Sequence, residues 1–94
     1  MGFLISRFKM ITFEFTNKAL GQFQKFENPA KKLIQEKFQL LKNPEIFAKN
    51  SKKLTDLEPA THRIRLGRYR ALLKQISPEN YLVLKIAHRK DIYR

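Results

Sequence analysis

Apolar and polar residues alternate over three stretches in the second half of the chain. The stretches cover residues 62–66, 70–76 and 81–89. Because successive side chains of a strand point to opposite faces, this alternation predicts three β-strands that each have one apolar face. A Gly-Arg pair at 67–68 predicts a tight reversal between the first two strands, and the Ser-Pro-Glu-Asn sequence at 77–80 predicts a second reversal. The pattern therefore predicts an antiparallel meander.

Strict alternation divides the side chains of this meander between two faces. The apolar face is predicted to carry Ile64, Leu66, Tyr69, Ala71, Leu73, Leu82, Leu84 and Ile86. The opposite face, which we call the basic face, is predicted to carry Arg63, Arg65, Arg70, Lys74, Val83, Lys85, Ala87 and Arg89. The apolar face supplies a core, and planar guanidinium groups held side by side suit the binding of phosphate. A solvated surface that promotes solubility is the alternative interpretation.

The first half of the chain predicts one strand and two helices. Thr16 or Asn17 is predicted to cap the first helix, and Asn28 the second, which an Asn-Pro pair at 43–44 ends. Residues 45–59 predict a basic polar connector with a short turn of helix. The apolar residues that define the elements are Ile11, Phe13 and Phe15 in the strand, Leu20, Phe23 and Phe26 in the first helix, and Leu33, Ile34, Phe38 and Leu41 in the second.

The predicted fold class is α+β, in the order β-α-α-β-β-β, with the two N-terminal helices packed on one face of a small sheet. A chain of 94 residues is long enough for one core and too short for two. We therefore expect a single domain over residues 1–94. Residues 1–9 are predicted to be a leader or a start-site extension ahead of Met10.

Charge narrows the choice of partner. Twenty basic residues stand against eight acidic ones, which gives a formal net charge of +12. Such a charge attracts polyanions or membrane surfaces. The lysines are spread along the chain, whereas six of the seven arginines lie between Arg63 and Arg94. Arginine concentrated on one sheet face is typical of oriented phosphate recognition.

Several kinds of site are disfavoured by composition. The chain has no cysteine, which excludes disulfides and thiolate metal sites, and no apolar run reaches the roughly 18 residues of a membrane span. His62 and His88 are its only imidazoles, and neither has Asp or Glu at metal-ligand spacing. We therefore expect no metal, no other cofactor and no membrane partner.

Two segments carry a resemblance to a known family. Residues 63–73 read Arg-Ile-Arg-Leu-Gly-Arg-Tyr-Arg-Ala-Leu-Leu, and residues 84–93 read Leu-Lys-Ile-Ala-His-Arg-Lys-Asp-Ile-Tyr. A basic-x-basic strand, a Gly-x-Tyr-Arg sequence and a late strand that runs into basic residues and a terminal tyrosine are the hallmark of RelE toxins. From Met10 to Arg94 the chain resembles this family of the bacterial and archaeal toxin–antitoxin systems. The resemblance implies a RelE-like fold and an mRNA interferase. Such a toxin enters the ribosomal A site and cleaves the exposed codon without metal, by attack of a ribose 2′-hydroxyl on its own 3′-phosphate.

The resemblance also assigns roles to residues. It implies a catalytic set in which guanidinium groups hold the charge that develops on the phosphoryl oxygens and a terminal tyrosine stacks under a base or acts near the 2′-oxygen. We predict this set to be Arg63, Arg65, Arg70, Arg89 and Tyr93, with His88 added as a proton acceptor. Additional contacts to RNA are predicted for Lys74, Lys85, Arg68 and Arg94. Gly67 is expected to serve the turn, and Tyr69 to pack beneath the sheet.

One departure from the family concerns the general base. The best-known members have lysines where this chain has Arg63 and Arg65, and the pKa of an arginine is too high for a general base. His88 and His62 have a suitable ordinary pKa of about 6.5, but alternation directs both toward the core. A third interpretation is that the ribosome supplies part of the catalysis while the toxin positions the phosphate.

Two other functions stay open at this level. ParE toxins share the fold but inhibit DNA gyrase and lack the catalytic set, and a non-enzymatic nucleic-acid-binding module would use the basic face for phosphate alone. For a toxin, the resemblance implies a cytoplasmic protein with an acidic, partly disordered RelB-like antitoxin. The ribosome and mRNA are its further partners. The toxin–antitoxin hetero-oligomer would bind operator DNA through the antitoxin.

Overall fold

Five strands form one mixed sheet in the computed structural model, which describes residues 9–94. The predicted leader, apart from Lys9, lies outside the described residues. Across the sheet the strand order is β1-β5-β4-β3-β2, with β1 parallel to β5 and the other neighbours antiparallel. The α+β class and the C-terminal meander are confirmed. The elements are β1 (Thr12–Phe15), α1 (Asn17–Lys25), α2 (Asn28–Leu40), α3 (Pro44–Asn50), β2 (Ser51–Lys53), β3 (His62–Leu66), β4 (Tyr69–Ser77) and β5 (Asn80–His88).

The segment predicted as a polar connector with a short turn of helix contains the seven-residue helix α3 and, in addition, strand β2. Asn43 starts helix α3, because its side-chain Oδ1 accepts hydrogen bonds from the backbone N–H groups of Glu45 at 2.8 Å and Ile46 at 3.2 Å. Pro44 occupies the first turn, where its missing N–H costs nothing. The Asn-Pro pair thus begins a third helix as well as following the end of the second. Thr16 caps α1 as predicted, by accepting from the Ala19 N–H at 3.1 Å.

The main core lies between the helices and one face of the sheet. Phe38 of α2 makes edge-on contacts with Phe13 and Phe15 of β1, with ring centroids 5.1 and 5.0 Å apart. Helix α1 turns Ala19 into this core, while Leu20, predicted to be inward, is 42% exposed. The buried members of the main core are Ile11, Ala19, Ile34, Phe38, Leu41, Phe47, Ile64, Leu66, Ala71, Leu73, Tyr81, Val83 and Ile86.

A β-bulge changes the predicted faces of β5. Leu73 pairs with Val83, but the preceding Leu72 pairs with Lys85, so Leu84 is an extra residue on β5. Val83, predicted on the basic face, is therefore fully buried in the main core. Leu84, predicted in the main core, packs against a second apolar cluster on the opposite side of the sheet. Strict alternation fails here because one inserted residue reverses the facing.

The second apolar cluster occupies the middle of the basic face. Leu72 belongs to this cluster, although its neighbours in β4, Ala71 and Leu73, belong to the main core. Ala60, from the loop before β3, and Ile92, from the C-terminal end of the chain, cover Leu72. The basic face is therefore partly apolar, and the chain itself covers part of it.

The reversal between β3 and β4 has the predicted glycine turn. Leu66 pairs with Tyr69 across a two-residue loop, and Gly67 has a φ of +67°, in the left-handed region. A Cβ atom at this position would lie 3.1 Å from Leu33 Cδ2 of α2. Tyr69 packs beneath the sheet, with its ring centroid 5.1 Å from that of Phe26.

Helix α1 also completes the hydrogen bonding of β5. The pairing of β1 with β5 ends at Phe15 opposite Val83, so the later residues of β5 have no β1 partner. The side-chain Oε1 of Gln22 accepts a hydrogen bond from the Ile86 N–H at 2.8 Å. One helix side chain thus substitutes for the missing strand, next to the end of β5 that leads to Arg89.

Candidate functional site

Four arginines meet at one end of the basic face. Arg65 of β3 is directly opposite Arg70 of β4, and Arg63 lies two residues before Arg65 on the same side. On its other side, Arg70 pairs with Ala87 of β5. Arg89 lies two residues after Ala87. Strands β3 and β4, together with the residue that directly follows β5, therefore bring their guanidinium groups to one place, as strand alternation predicts.

No acidic side chain neutralises this group among residues 9–94. The ion pairs in that range join Lys9 to Glu79 and Arg94 to Asp91, at 3.7 and 3.4 Å. Like charges directly opposite each other in a sheet are destabilising, so the contact between Arg65 and Arg70 costs stability. Such an arrangement favours a bound anion.

Arg70 lies at the centre of the group. Burial, followed by the positive charges of Arg63, Arg65 and Arg89, lowers the pKa of Arg70, while Tyr93 raises it. An arginine keeps its proton at neutral pH, so this lowering reports crowding of positive charge rather than titration. A phosphate placed against Arg70 would relieve its repulsion by the other three arginines.

Main-chain acceptors fix two of the guanidinium groups. Arg70 Nη1 donates to the carbonyl oxygens of Gly67 at 2.7 Å and Tyr69 at 2.8 Å. Arg65 Nη2 donates to the carbonyl oxygen of Lys49, at 3.2 Å. Each guanidinium carries five N–H donors, so others remain for a ligand. Donors that are already oriented do not have to reorganise when charge develops on a bound phosphate.

Tyr93, near the C-terminus, contacts one of the four arginines. Its hydroxyl oxygen accepts a hydrogen bond from Arg63 Nη1 at 3.0 Å, and its side chain is 53% exposed. The Tyr93 hydroxyl keeps its own proton for donation, and its ring is accessible for stacking with a base. The structure therefore brings together Arg63, Arg65, Arg70, Arg89 and Tyr93.

The two histidines lie on the other side of the sheet. His88 pairs with Tyr69, with ring centroids 5.8 Å apart, and its Nδ1 accepts from the Lys90 N–H at 3.2 Å. His62 packs edge-on against Tyr81 at 5.3 Å, and burial together with the charge of Lys53 lowers its pKa. Their placement separates both imidazoles from the arginines, as alternation predicts.

The side chains predicted to make additional contacts to RNA differ from one another in their position and in their partners. Lys74 is exposed and pairs with Leu82, farther along the meander from the arginines. Arg68 is exposed in the β3–β4 turn, and its carbonyl oxygen accepts from the Arg89 N–H at 3.0 Å. Arg94 pairs with Asp91, as described above.

Lys85 is the residue whose surroundings differ most from the prediction. Its Nζ donates to the main-chain oxygens of Asp91, at 3.4 Å, and of Arg94. Sequence reasoning also missed Ile92, which is 1% exposed. The available signal was an isolated apolar residue in an otherwise polar stretch at 88–94.

Residues 9–94 contain no group of three side chains able to hold a metal ion. Within the same range, no helix is both long and apolar enough to cross a membrane.

The fold and the site together define a small α+β protein whose sheet has helices on one face and arginines concentrated on the other. Solved structures share this fold. The toxin–antitoxin complex RelBE2 from Mycobacterium tuberculosis matches at TM-score 0.69 and 23% identity, over 85% of this chain and 99% of that one. The archaeal RelE–RelB complex from Pyrococcus horikoshii OT3 matches at 0.64 and 19%, over 87% and 98%. The isolated RelE toxin of E. coli matches at 0.58 and 22%, over 89% and 90%. The chain therefore has the fold of the RelE toxins. No protein-family model and no curated protein sequence matches it.

Proposed function

We propose that this protein is the toxin of a type II toxin–antitoxin system and acts as a ribosome-dependent mRNA interferase. The observation that carries the proposal is the convergence of four arginines and Tyr93 on one open face without a neutralising carboxylate among the described residues. Such a set suits RNA cleavage by a 2′-hydroxyl, because negative charge accumulates on the phosphoryl oxygens during the displacement. The fold shared with RelE toxins supports the same function.

In the proposed reaction the 2′-oxygen attacks the adjacent phosphorus, and the bond to the leaving 5′-oxygen breaks. Arg70 lies at the centre of the positive group, where it can hold the phosphoryl oxygens with Arg65 and Arg89. Tyr93 can donate its hydroxyl proton or stack under a base. Since the placement of His88 behind the sheet disfavours it as the base, we favour positioning of the phosphate by the toxin, with part of the proton transfer supplied by the ribosome.

A cognate antitoxin follows from the same proposal. A net charge of +12 on 94 residues favours an acidic partner that folds on contact. Structures with this fold include RelE–RelB complexes, such as the one from Pyrococcus horikoshii. We propose an acidic RelB-like antitoxin that docks on this chain in the cytoplasm and links the pair to operator DNA.

Primer extension on mRNA in a purified translation reaction tests the function. We expect cuts in phase with codons that appear only when ribosomes and the protein are both present. DNA breaks that depend on gyrase, without mRNA cuts, would instead support a ParE-like toxin. Salt-sensitive RNA binding without either activity would contradict both toxin functions and indicate a simple phosphate-binding module.

A further inference from the structure

We propose that Lys85 and Ile92 are positioning residues that hold the C-terminal turn, residues 89–94, against the sheet and thereby place Tyr93 beside Arg63. Neither residue would touch the reacting atoms. This inference rests on the proposed RNA-cleaving function. It identifies two residues outside the predicted catalytic set on which cleavage depends.

Ile92 is the apolar anchor of the C-terminal turn. It is 1% exposed, whereas every other residue from 89 to 94 is exposed. Its side chain packs with Ala60 and Leu72, and Leu84 lies at the edge of the same cluster because of the β5 bulge. The turn is therefore fastened to the middle of the basic face by one side chain.

Lys85 is the polar anchor. It lies opposite Leu72 on the same side of the sheet, and its Nζ donates to the main-chain oxygens of Asp91 and Arg94, both in the C-terminal turn. Two backbone hydrogen bonds also hold the turn, from the Asp91 N–H to the His88 oxygen of β5 at 2.8 Å and from the Arg94 N–H to the Asp91 oxygen at 3.1 Å. An ammonium group that bridges carbonyl oxygens is committed to the chain rather than to RNA.

The two anchors together fix the position of Tyr93. Tyr93 follows Ile92 directly and is half exposed, so its own burial does not fix its position. Its hydroxyl is the acceptor for Arg63 Nη1, and the Arg63 Nε is buried without a hydrogen-bond partner in the described part of the chain. Release of the turn would therefore displace both Tyr93 and the guanidinium that depends on it. A displacement of about 1 Å at a reacting group can cost roughly 10²-fold in rate.

The test measures single-turnover cleavage on programmed ribosomes for Ile92→Ala and Lys85→Met, each alone and combined with Tyr93→Ala. We expect each single variant to lose about tenfold to a hundredfold in rate. In the Tyr93→Ala background the further loss should shrink to about twofold, since the residue being positioned is already gone. Ile92→Leu and Lys85→Arg should retain most of the rate. Ile76→Ala and Lys32→Met are matched controls at exposed positions and should behave as the unsubstituted protein.

A second measurement does not depend on activity. Hydrogen exchange of the peptide that covers residues 89–94 should accelerate in Ile92→Ala and in Lys85→Met, while exchange in β3 and β4 stays unchanged. If exchange accelerates in these variants but the unsubstituted protein does not cleave mRNA, the proposed function is refuted and the anchoring is supported. Unchanged exchange, or losses that multiply fully with that of Tyr93→Ala, would overturn the inference. Lys85→Met removes no packed apolar group, so it keeps the test valid should Ile92→Ala fail to fold.

Discussion

Replacement of Gln22 by methionine tests how helix α1 supports the strand that leads to the site. The change keeps the length and helix propensity of the side chain but removes the acceptor of the Ile86 N–H, 2.8 Å away. Because β1 ends at Phe15, no strand can take over this donor. The N–H is then left partly buried without its protein partner.

The loss of this hydrogen bond sets the expected decrease in the free energy of unfolding. An ordinary intramolecular hydrogen bond contributes about 0.5–1.5 kcal/mol, and a buried donor left unsatisfied costs about 1–3 kcal/mol. The bond is only partly buried, so water can compensate in part, and we expect Gln22→Met to lower the free energy of unfolding by about 1–2 kcal/mol. For a domain of this size that corresponds to a decrease of roughly 4–16 °C in Tm.

Urea unfolding and hydrogen exchange provide the assay. Gln24→Met on the exposed side of the same helix is the matched control and should change stability by less than about 0.5 kcal/mol. The Ile86 amide should exchange faster in Gln22→Met and at its original rate in Gln24→Met. Equal stability of the two variants would show that the side-chain bond does not support β5.

Four further predictions concern charge, titration and the turn. Arg89→Ala should lower the single-turnover cleavage rate by roughly 10²–10³-fold, whereas Lys90→Ala should cost little. The same Arg89→Ala change should raise Tm at low salt by removing repulsion, and the gain should disappear near about 1 M salt in calorimetry. Burial lowers the pKa of His62 below its ordinary 6.5, so the free energy of unfolding should fall as pH drops below about 6.5 toward that lowered pKa. Urea unfolding of His62→Gln should lack this dependence. Gly67→Ala should cost about 1–2 kcal/mol at its left-handed φ, while Gly21→Ala, with open space around its Cβ position, should stabilise helix α1 by about 0.5–1 kcal/mol in the same assay.

Local patterns predict most of the fold because each is decided within a few residues. The alternation in β3 and the left-handed turn at Gly67 depend on neighbours in sequence, and both appear as predicted. The arginines meet because a two-residue turn fixes the register of Arg65 against Arg70. The grouping of the predicted catalytic arginines was therefore accessible from the sequence.

The features that local patterns miss depend on contacts between distant segments or on local sequences that are compatible with two structures. The extra residue at Leu84 is defined only by the pairing of β5 with β4, and nothing in the composition of β5 marks it. Asn43 and Pro44 are compatible with the end of one helix and with the start of another, so their sequence does not distinguish the two. Ile92 is buried by Ala60 and Leu72, which are at least twenty residues away along the chain.

The β5 bulge links the core to the chemistry of the basic face. Without the extra residue, Leu84 would point into the main core and Val83 would lie among the charged side chains. The insertion instead adds Leu84 to the apolar cluster that receives Ile92, while Lys85 lies beside Leu72 on the basic face, where strict alternation also predicts it, within reach of the C-terminal turn. Bulges beside functional sites commonly redirect side chains in this way. A one-residue irregularity in the strand thus enlarges the apolar cluster that holds Ile92, and the position of Tyr93 depends on strand pairing as much as on its own sequence context.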